Sequence, residues 1–138
     1  MTPITGISSM ATRQVLADMT SAYERETGAK VAIESVGGVD AAKRVRAGEH
    51  FDVVILASNV IDQLVSEGHA LAGSRVDLVR SGVAIAVRSG APRPDIGSED
   101  AVRNAVRHAR SVSYSTGPSG DYLAKLFERW GLADEIAS

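Results

Sequence analysis

The chain has no cysteine. That excludes disulfides, a thiol nucleophile and any metal site built on thiolates, while saying nothing about compartment, since many exported proteins also lack it. Aromatic residues make up only 4% of the 138 residues, too few for a base-stacking surface or an aromatic cage. A dominant charge is missing too: the net charge is −2, so no basic field draws the chain to nucleic acid or to an anionic membrane. No apolar run is long enough to span a bilayer. The start, Met1-Thr2-Pro3-Ile4-Thr5-Gly6, lacks the basic opening and apolar stretch of a signal peptide. Two readings of compartment stay open: a cytoplasmic protein, or an exported one whose signal is already removed.

What remains is ordinary for a soluble fold, 44% hydrophobic and 23% charged, in a length that suits one domain or two small lobes. Within it one pattern recurs three times. A short apolar run ends in Ser, Thr or Gly and opens into an amphipathic helix, at Ile7-Ser8-Ser9-Met10, at Ser35-Val36-Gly37-Gly38 and at Tyr114-Ser115-Thr116-Gly117-Pro118-Ser119-Gly120. In a parallel sheet every strand-to-helix turn lies at the carboxyl edge, where ligands bind. Such turns offer hydroxyls and unpaired backbone N–H groups at the positive end of a helix, a means of holding a small anion without a cofactor.

Along the chain, residues 4–7 read as a strand and residues 11–27 as a helix with Val15, Leu16, Met19, Ala22 and Tyr23 at helical spacing, closed by Gly28. Residues 30–35 alternate as a half-buried strand, and residues 39–47 form a short helix ending at Gly48. Residues 51–56 are continuous and β-branched, as in a strand covered on both faces. Ser58 or Asn59 caps the next helix, which Gly68 ends. This β-α-β-α-β-α order predicts a parallel sheet. Residues 76–79 and 83–87 follow as two strand-like runs around Arg80-Ser81-Gly82, a link too short for a parallel crossover, and residues 88–97 are irregular. Ser98 then caps a helix with acids in its first turn and Arg107, His108 and Arg110 at its end. Residues 111–114 read as a strand, residues 122–130 as an amphipathic helix stopped by Gly131, and 132–137 as the start of another. The organisation is therefore a first α/β lobe over residues 1–75, crossing strands and a loop over 76–97, and a partial second lobe over 98–138.

The residues predicted to bind a ligand are Ser8, Ser9, Gly37, Gly38, Thr116, Ser119 and Gly120. In the third turn Gly117 and Gly120 let backbone approach a ligand, and Pro118 suits a first helical position. Ser119 reads equally as a helix N-cap, and Ser8 and Ser9 as local caps of the first helix. Gly37-Gly38 lacks the spacing of a phosphate-binding loop or a dinucleotide fingerprint. His50, His69 and His108 sit at helix ends and show no metal-ligand spacing, so no metal and no cofactor are expected. Asp52 opens a strand at the edge opposite the turns, where a structural hydrogen bond is the expectation. Asp40 and Asp121 favour helix starts but oppose an anion. Arg80, Arg88 and Arg93 flank the crossing segment as solvated charges. No nucleophile–base pair can be named, and the residues argue against an enzyme.

Tyr23-Glu24-Arg25-Glu26-Thr27-Gly28, Ala47-Gly48-Glu49-His50-Phe51-Asp52-Val53-Val54-Ile55, the run from Gly73 to Ile96 and the turn from Tyr114 to Gly120 together resemble the extracellular solute-binding proteins of ABC importers. The similarity is to the type 2 fold, molybdate-binding-like branch. The resemblance implies a periplasmic-binding-protein-like α/β fold, a mostly parallel sheet flanked by helices, with the first lobe and part of a second. It also implies a periplasmic setting, ABC transporter membrane subunits as partners, and an oxyanion or other small polar solute held between lobes by Ser hydroxyls and helix-start N–H groups. Where molybdate binders carry hydroxyls in the first two turns, the nearest matches here are Met10-Ala11 and Gly38-Val39, which points to backbone N–H groups and another ligand. Members of the group continue well beyond this length, so the resemblance reads the chain as truncated. Self-association, as a homodimer or swapped oligomer, would then cover the exposed apolar face. The rival reading is a cytoplasmic α/β signalling or regulatory domain acting through protein contacts.

Overall fold

The computed structural model describes residues 2–137. Its elements are β1 (Ile4–Ser9), a 3₁₀ turn (Met10–Thr12), α1 (Arg13–Thr27), β2 (Val31–Val36), α2 (Gly38–Arg46), β3 (Val53–Ile55), α3 (Ser58–Ser66), α4 (Glu99–His108), α5 (Pro118–Arg129) and α6 (Ala133–Ala137). The chain divides into two compact units between Val79 and Arg80.

In the N-terminal unit three parallel strands lie in the order β2-β1-β3. The predicted α/β sheet is there, and β1 is paired on both sides, with Gly6 facing Ile33 of β2 and Val53 of β3. A Cβ on Gly6 would collide with Ile33 Cδ1 and sit 3.2 Å from the Val53 carbonyl, so this position of the central strand takes only glycine unless Ile33 moves. Successive side chains of β1 point to opposite faces. Ile7 therefore enters the core with Ala41 and Val45 of α2 and Leu64 of α3, ringed by Val36, Phe51, Val54, Leu56, Val60 and Ala70. α1 ends as the sequence requires: Gly28 takes φ +72, a left-handed conformation that costs a glycine little, and its N–H closes onto Glu24 O at 2.9 Å.

Ion pairs fasten the connections. Arg44 of α2 holds Glu34 of β2 at 2.7 and 3.0 Å, also binds Glu49, and lies over the Phe51 ring at 5.5 Å. Arg46 reaches Glu67 at 2.7 Å, tying α2 to the end of α3. At the amino edge Asp52 Oδ2 accepts the Thr5 N–H at 2.7 Å and the Thr5 hydroxyl at 3.0 Å, the structural role expected of it.

The C-terminal unit is helical. Phe127 and Leu132 are buried, Tyr114 meets Phe127 edge-on at 5.8 Å, and Phe127 lies 6.1 Å from Trp130. The Trp130 indole N–H donates to Glu99 at 2.6 Å while Arg103 covers its ring at 5.3 Å, which joins α5 to α4. Ser98 caps α4 as predicted, its hydroxyl accepting the Ala101 N–H at 3.1 Å.

Several expectations are corrected. β1 runs on to Ser9, so Ser8 and Ser9 are ladder residues, paired with Ser35 and Val36, and Ser9 is at the same time the N-cap of the 3₁₀ turn. α3 begins at Ser58 with Ala57 as its N-cap, so neither Ser58 nor Asn59 caps it. α5 starts at Pro118, which places Ser119 and Gly120 in its first turn. β3 is shorter than predicted and its Val53 is 43% exposed, since β1 is its one strand partner among the described residues. Residues 76–79, 83–87 and 111–114 form no strand. Their apolar, β-branched composition suits a strand, but a strand exists only through its ladder, and no backbone partner meets these runs among the described residues.

Two tests follow from this packing. Leu64→Ala removes a side chain with no exposed surface and is expected to cost roughly 2–5 kcal/mol in denaturant unfolding. Leu71→Ala, at a largely exposed position, changes it by no more than about 0.5 kcal/mol. Asp52 supplies the second test. The bonds from Thr5, the backbone one foremost, hold its carboxyl below the ordinary 3.8. A lowered folded-state pKa stabilises the fold above the ordinary value, and that gain is lost as pH falls through the folded value. Asp52→Asn should therefore melt lower at neutral pH, and its melting temperature should fall less than wild type's on acidification below about pH 4.

Candidate functional site

All three strands of the N-terminal unit run in parallel, so the starts of the 3₁₀ turn, α2 and α3 gather at one sheet edge. The register brings Ser8 beside Ser35 and Ile55, and Ser9 beside Val36. Ser8 Oγ lies 2.8 Å from Ser35 Oγ and donates to the Ser9 carbonyl at 3.1 Å. Ser8 has no exposed surface, whereas Ser9 and Ser35 are half-buried. Strand alternation places the two adjacent serines on opposite faces. Ser9 follows Ile7 onto the α2 side of the sheet, and a Cβ built on Gly38 would stand 3.6 Å from Ser9 Cβ.

The helix starts at this edge share a property. The 3₁₀ turn, α1, α2 and α3 have Ser9, Thr12, Gly37 and Ala57 as N-caps, and none of them has a side-chain cap hydrogen bond. The 3₁₀ turn, α2 and α3 leave first-turn N–H groups open to another acceptor, whereas α1 continues the 3₁₀ turn, with its Arg13 N–H bonded to Met10 O. In the C-terminal unit, α4 is capped by Ser98 in the ordinary way. The glycine pair is equally telling. Gly28 and Gly48 adopt positive φ, but Gly37 and Gly38 do not. A Cβ on either would meet its nearest neighbour at 3.5 or 3.6 Å, ordinary contact distances. Neither backbone geometry nor packing requires glycine at the start of α2.

Three polar residues at this edge escaped the sequence reading. Ser58 and Asn59, read as caps, open α3 with their side chains free of hydrogen bonds among the described residues. Arg13 opens α1 and its guanidinium makes no ion pair among the described residues, at a helix end where a cation gains nothing from the dipole. The signal for all three was available: each follows a strand end of the same sheet. Asp40 puts a carboxylate in the first turn of α2, complementing the dipole and weakening its pull on an anion.

The third predicted turn lies in the C-terminal unit. Gly117 is the N-cap of α5 and Pro118 takes an opening position, so Ser119 is not the cap. Its hydroxyl lies 2.9 Å from Ser115 Oγ, and Thr116 and Ser119 are exposed. Gly120 is buried, and a Cβ there would overlap the Ser115 carbonyl. Two concavities of this unit, of about 480 and 420 Å³, are lined by residues of α4 and of the 112–114 segment with α5 and α6. Neither includes Thr116, Ser119 or Gly120.

Comparison with known proteins bears on this geometry. The model of a family described as bacterial extracellular solute-binding protein matches residues 4–138. A relative from a Pseudomonas species, named aconitate isomerase, is 39% identical over 138 residues, covering 96% of this chain and 53% of its own. The chain thus spans about half the length of that relative. No solved structure matches. The relative is named as an enzyme, which overturns the expectation that this chain is not one. That expectation rested on finding no nucleophile–base pair, a test that fits hydrolases and transferases and passes over other reactions.

The two glycines with opposite surroundings make a stability test. Gly120→Ala must displace the Ser115 carbonyl and is expected to cost about 1–3 kcal/mol. Gly38→Ala, at a position with room for its methyl, should leave unfolding unchanged or raise stability slightly, both read by denaturant titration.

Proposed function

This chain belongs to the bacterial extracellular solute-binding protein family, and from that premise we propose that it binds a small carboxylate anion of the aconitate kind. The observation that carries the proposal is the start of α2. Gly37 and Gly38 leave it bare where the fold accepts side chains, beside Ser9 and under N–H groups without a side-chain cap. A carboxylate oxygen accepts from two or three such N–H groups, and hydroxyls add further donors. Ser9, Ser58 and Asn59 supply polar groups, and Arg13 supplies positive charge at the same edge. Within the C-terminal unit, taken by itself, Thr116, Ser119 and the N–H groups opening α5 are a separate proposed set of donors.

Aconitate is an unsaturated tricarboxylate, so a site for it must satisfy several carboxylates at once. That demand favours a set of separate donors over one strong charge. Two activities are compatible with such a site. The name of the relative favours isomerisation of the bound acid, with the residues named here holding it. The family's description favours capture of a solute, which the resemblance to importer components would make capture for uptake by an ABC-type importer.

Calorimetric titration with cis- and trans-aconitate tests the binding, with proton NMR of the same mixtures reporting interconversion. Binding of either isomer, lost or weakened at least about tenfold in Gly38→Leu at unchanged melting temperature, is the expected result, since a leucine there covers Ser9. Wild-type protein that binds neither isomer at millimolar concentration refutes the carboxylate assignment. Conversion by the wild type selects isomerisation over uptake.

A further inference from the structure

Ser8 is the one buried polar side chain among the described residues. An alanine would fill nearly the same space, and a hydroxyl withdrawn from water must find its hydrogen bonds inside the protein. The bonds of Ser8 converge on a single feature. Its Oγ donates to the Ser9 carbonyl at 3.1 Å, and Ser35 Oγ lies 2.8 Å away. A hydroxyl carries one proton, so while Ser8 donates to the carbonyl, Ser35 donates to Ser8. The Ser9 carbonyl also accepts the Thr12 hydroxyl at 3.3 Å. Two hydroxyls therefore grip one carbonyl, one from β1 and one from the 3₁₀ turn, where the chain changes from extended to helical.

We propose that Ser8 is a positioning residue of the solute site. It fixes the peptide of Ser9, and through it the Ser9 hydroxyl and the entry into the 3₁₀ turn, without touching the solute. Ser35 and Thr12 complete the grip, Ser35 by orienting the Ser8 hydroxyl and Thr12 by sharing the carbonyl. The placement explains a hydroxyl where packing would accept a methyl: a binding turn needs its peptide planes held by partners that the solute does not displace. The inference rests on the binding reading above and goes beyond it, because it assigns Ser8 a role without contact.

The test is a double-mutant cycle read by calorimetric titration with trans-aconitate, using wild type, Ser8→Ala, Ser9→Ala and the double variant. Ser8→Ala is expected to weaken binding about tenfold, in line with the loss of one buried hydrogen bond. The double variant should lose much less than the product of the two single losses, since Ser8 acts through Ser9. Amide exchange at Arg13, whose N–H closes the 3₁₀ turn onto Met10 O, should quicken in Ser8→Ala while exchange in α2 and α3 stays as in wild type, a pattern that general destabilisation would not give. Ser8→Ala that binds as wild type does, or losses that simply multiply, overturns the proposal. Should Ser8→Ala fail to fold, Thr12→Val removes the other hydroxyl from the same carbonyl and is held to the same pattern. Wild type that does not bind trans-aconitate overturns the binding reading instead.

Discussion

The pairing of β1 with a parallel neighbour on each side is the constraint on which the N-terminal unit depends. It fixes β1 as the central strand, turns Ile7 into the core against α2 and α3, and aligns three strand ends at one edge. It also favours glycine at position 6, whose missing side chain leaves room for the end of Ile33 and for the β3 backbone. Asp52 reinforces the same pairing from the opposite edge by taking both donors of Thr5. One edge of the sheet thus spends its polar groups on register, while the other leaves its helix starts uncapped.

That asymmetry links fold to function. A helix N-terminus in solution is ordinarily satisfied by a Ser, Thr, Asp or Asn side chain, as α4 is by Ser98. The helices that follow the three strands forgo this, and α2 forgoes side chains altogether at its N-cap and first position. Such starts lose helix stability and gain an open set of donors. The buried Ser8 beneath them shows the complementary economy, a polar group removed from water to hold a neighbouring peptide in place.

Much of this was legible in the residues. Helical spacing marked α1, glycine marked its end, β-branched alternation marked β2, and Ser98 marked the start of α4. The resemblance to solute-binding proteins, carried by the segments around Gly28, Phe51 and the Tyr114–Gly120 turn, is matched by the family model over residues 4–138. The exclusion of an enzyme failed because it searched for one kind of chemistry. The strands expected at 76–79, 83–87 and 111–114 failed for a different reason: composition reports what a segment suits, and pairing decides what it becomes.

The sequence by itself determined the β-α-β-α-β-α order of the N-terminal unit, the glycine-marked end of α1, the Ser98 cap of α4, the Ser and Gly residues near the strand ends and the structural duty of Asp52. These follow from local periodicity and from the chemistry of single residues. Only the tertiary structure decided which of two adjacent serines is buried and which is half-open, that Gly37 and Gly38 are required by neither backbone nor packing, and that Arg13, Ser58 and Asn59 share the edge. Those facts depend on register between strands far apart in the chain. A shift of one residue would exchange the faces of Ser8 and Ser9, and no local pattern in either strand records that choice.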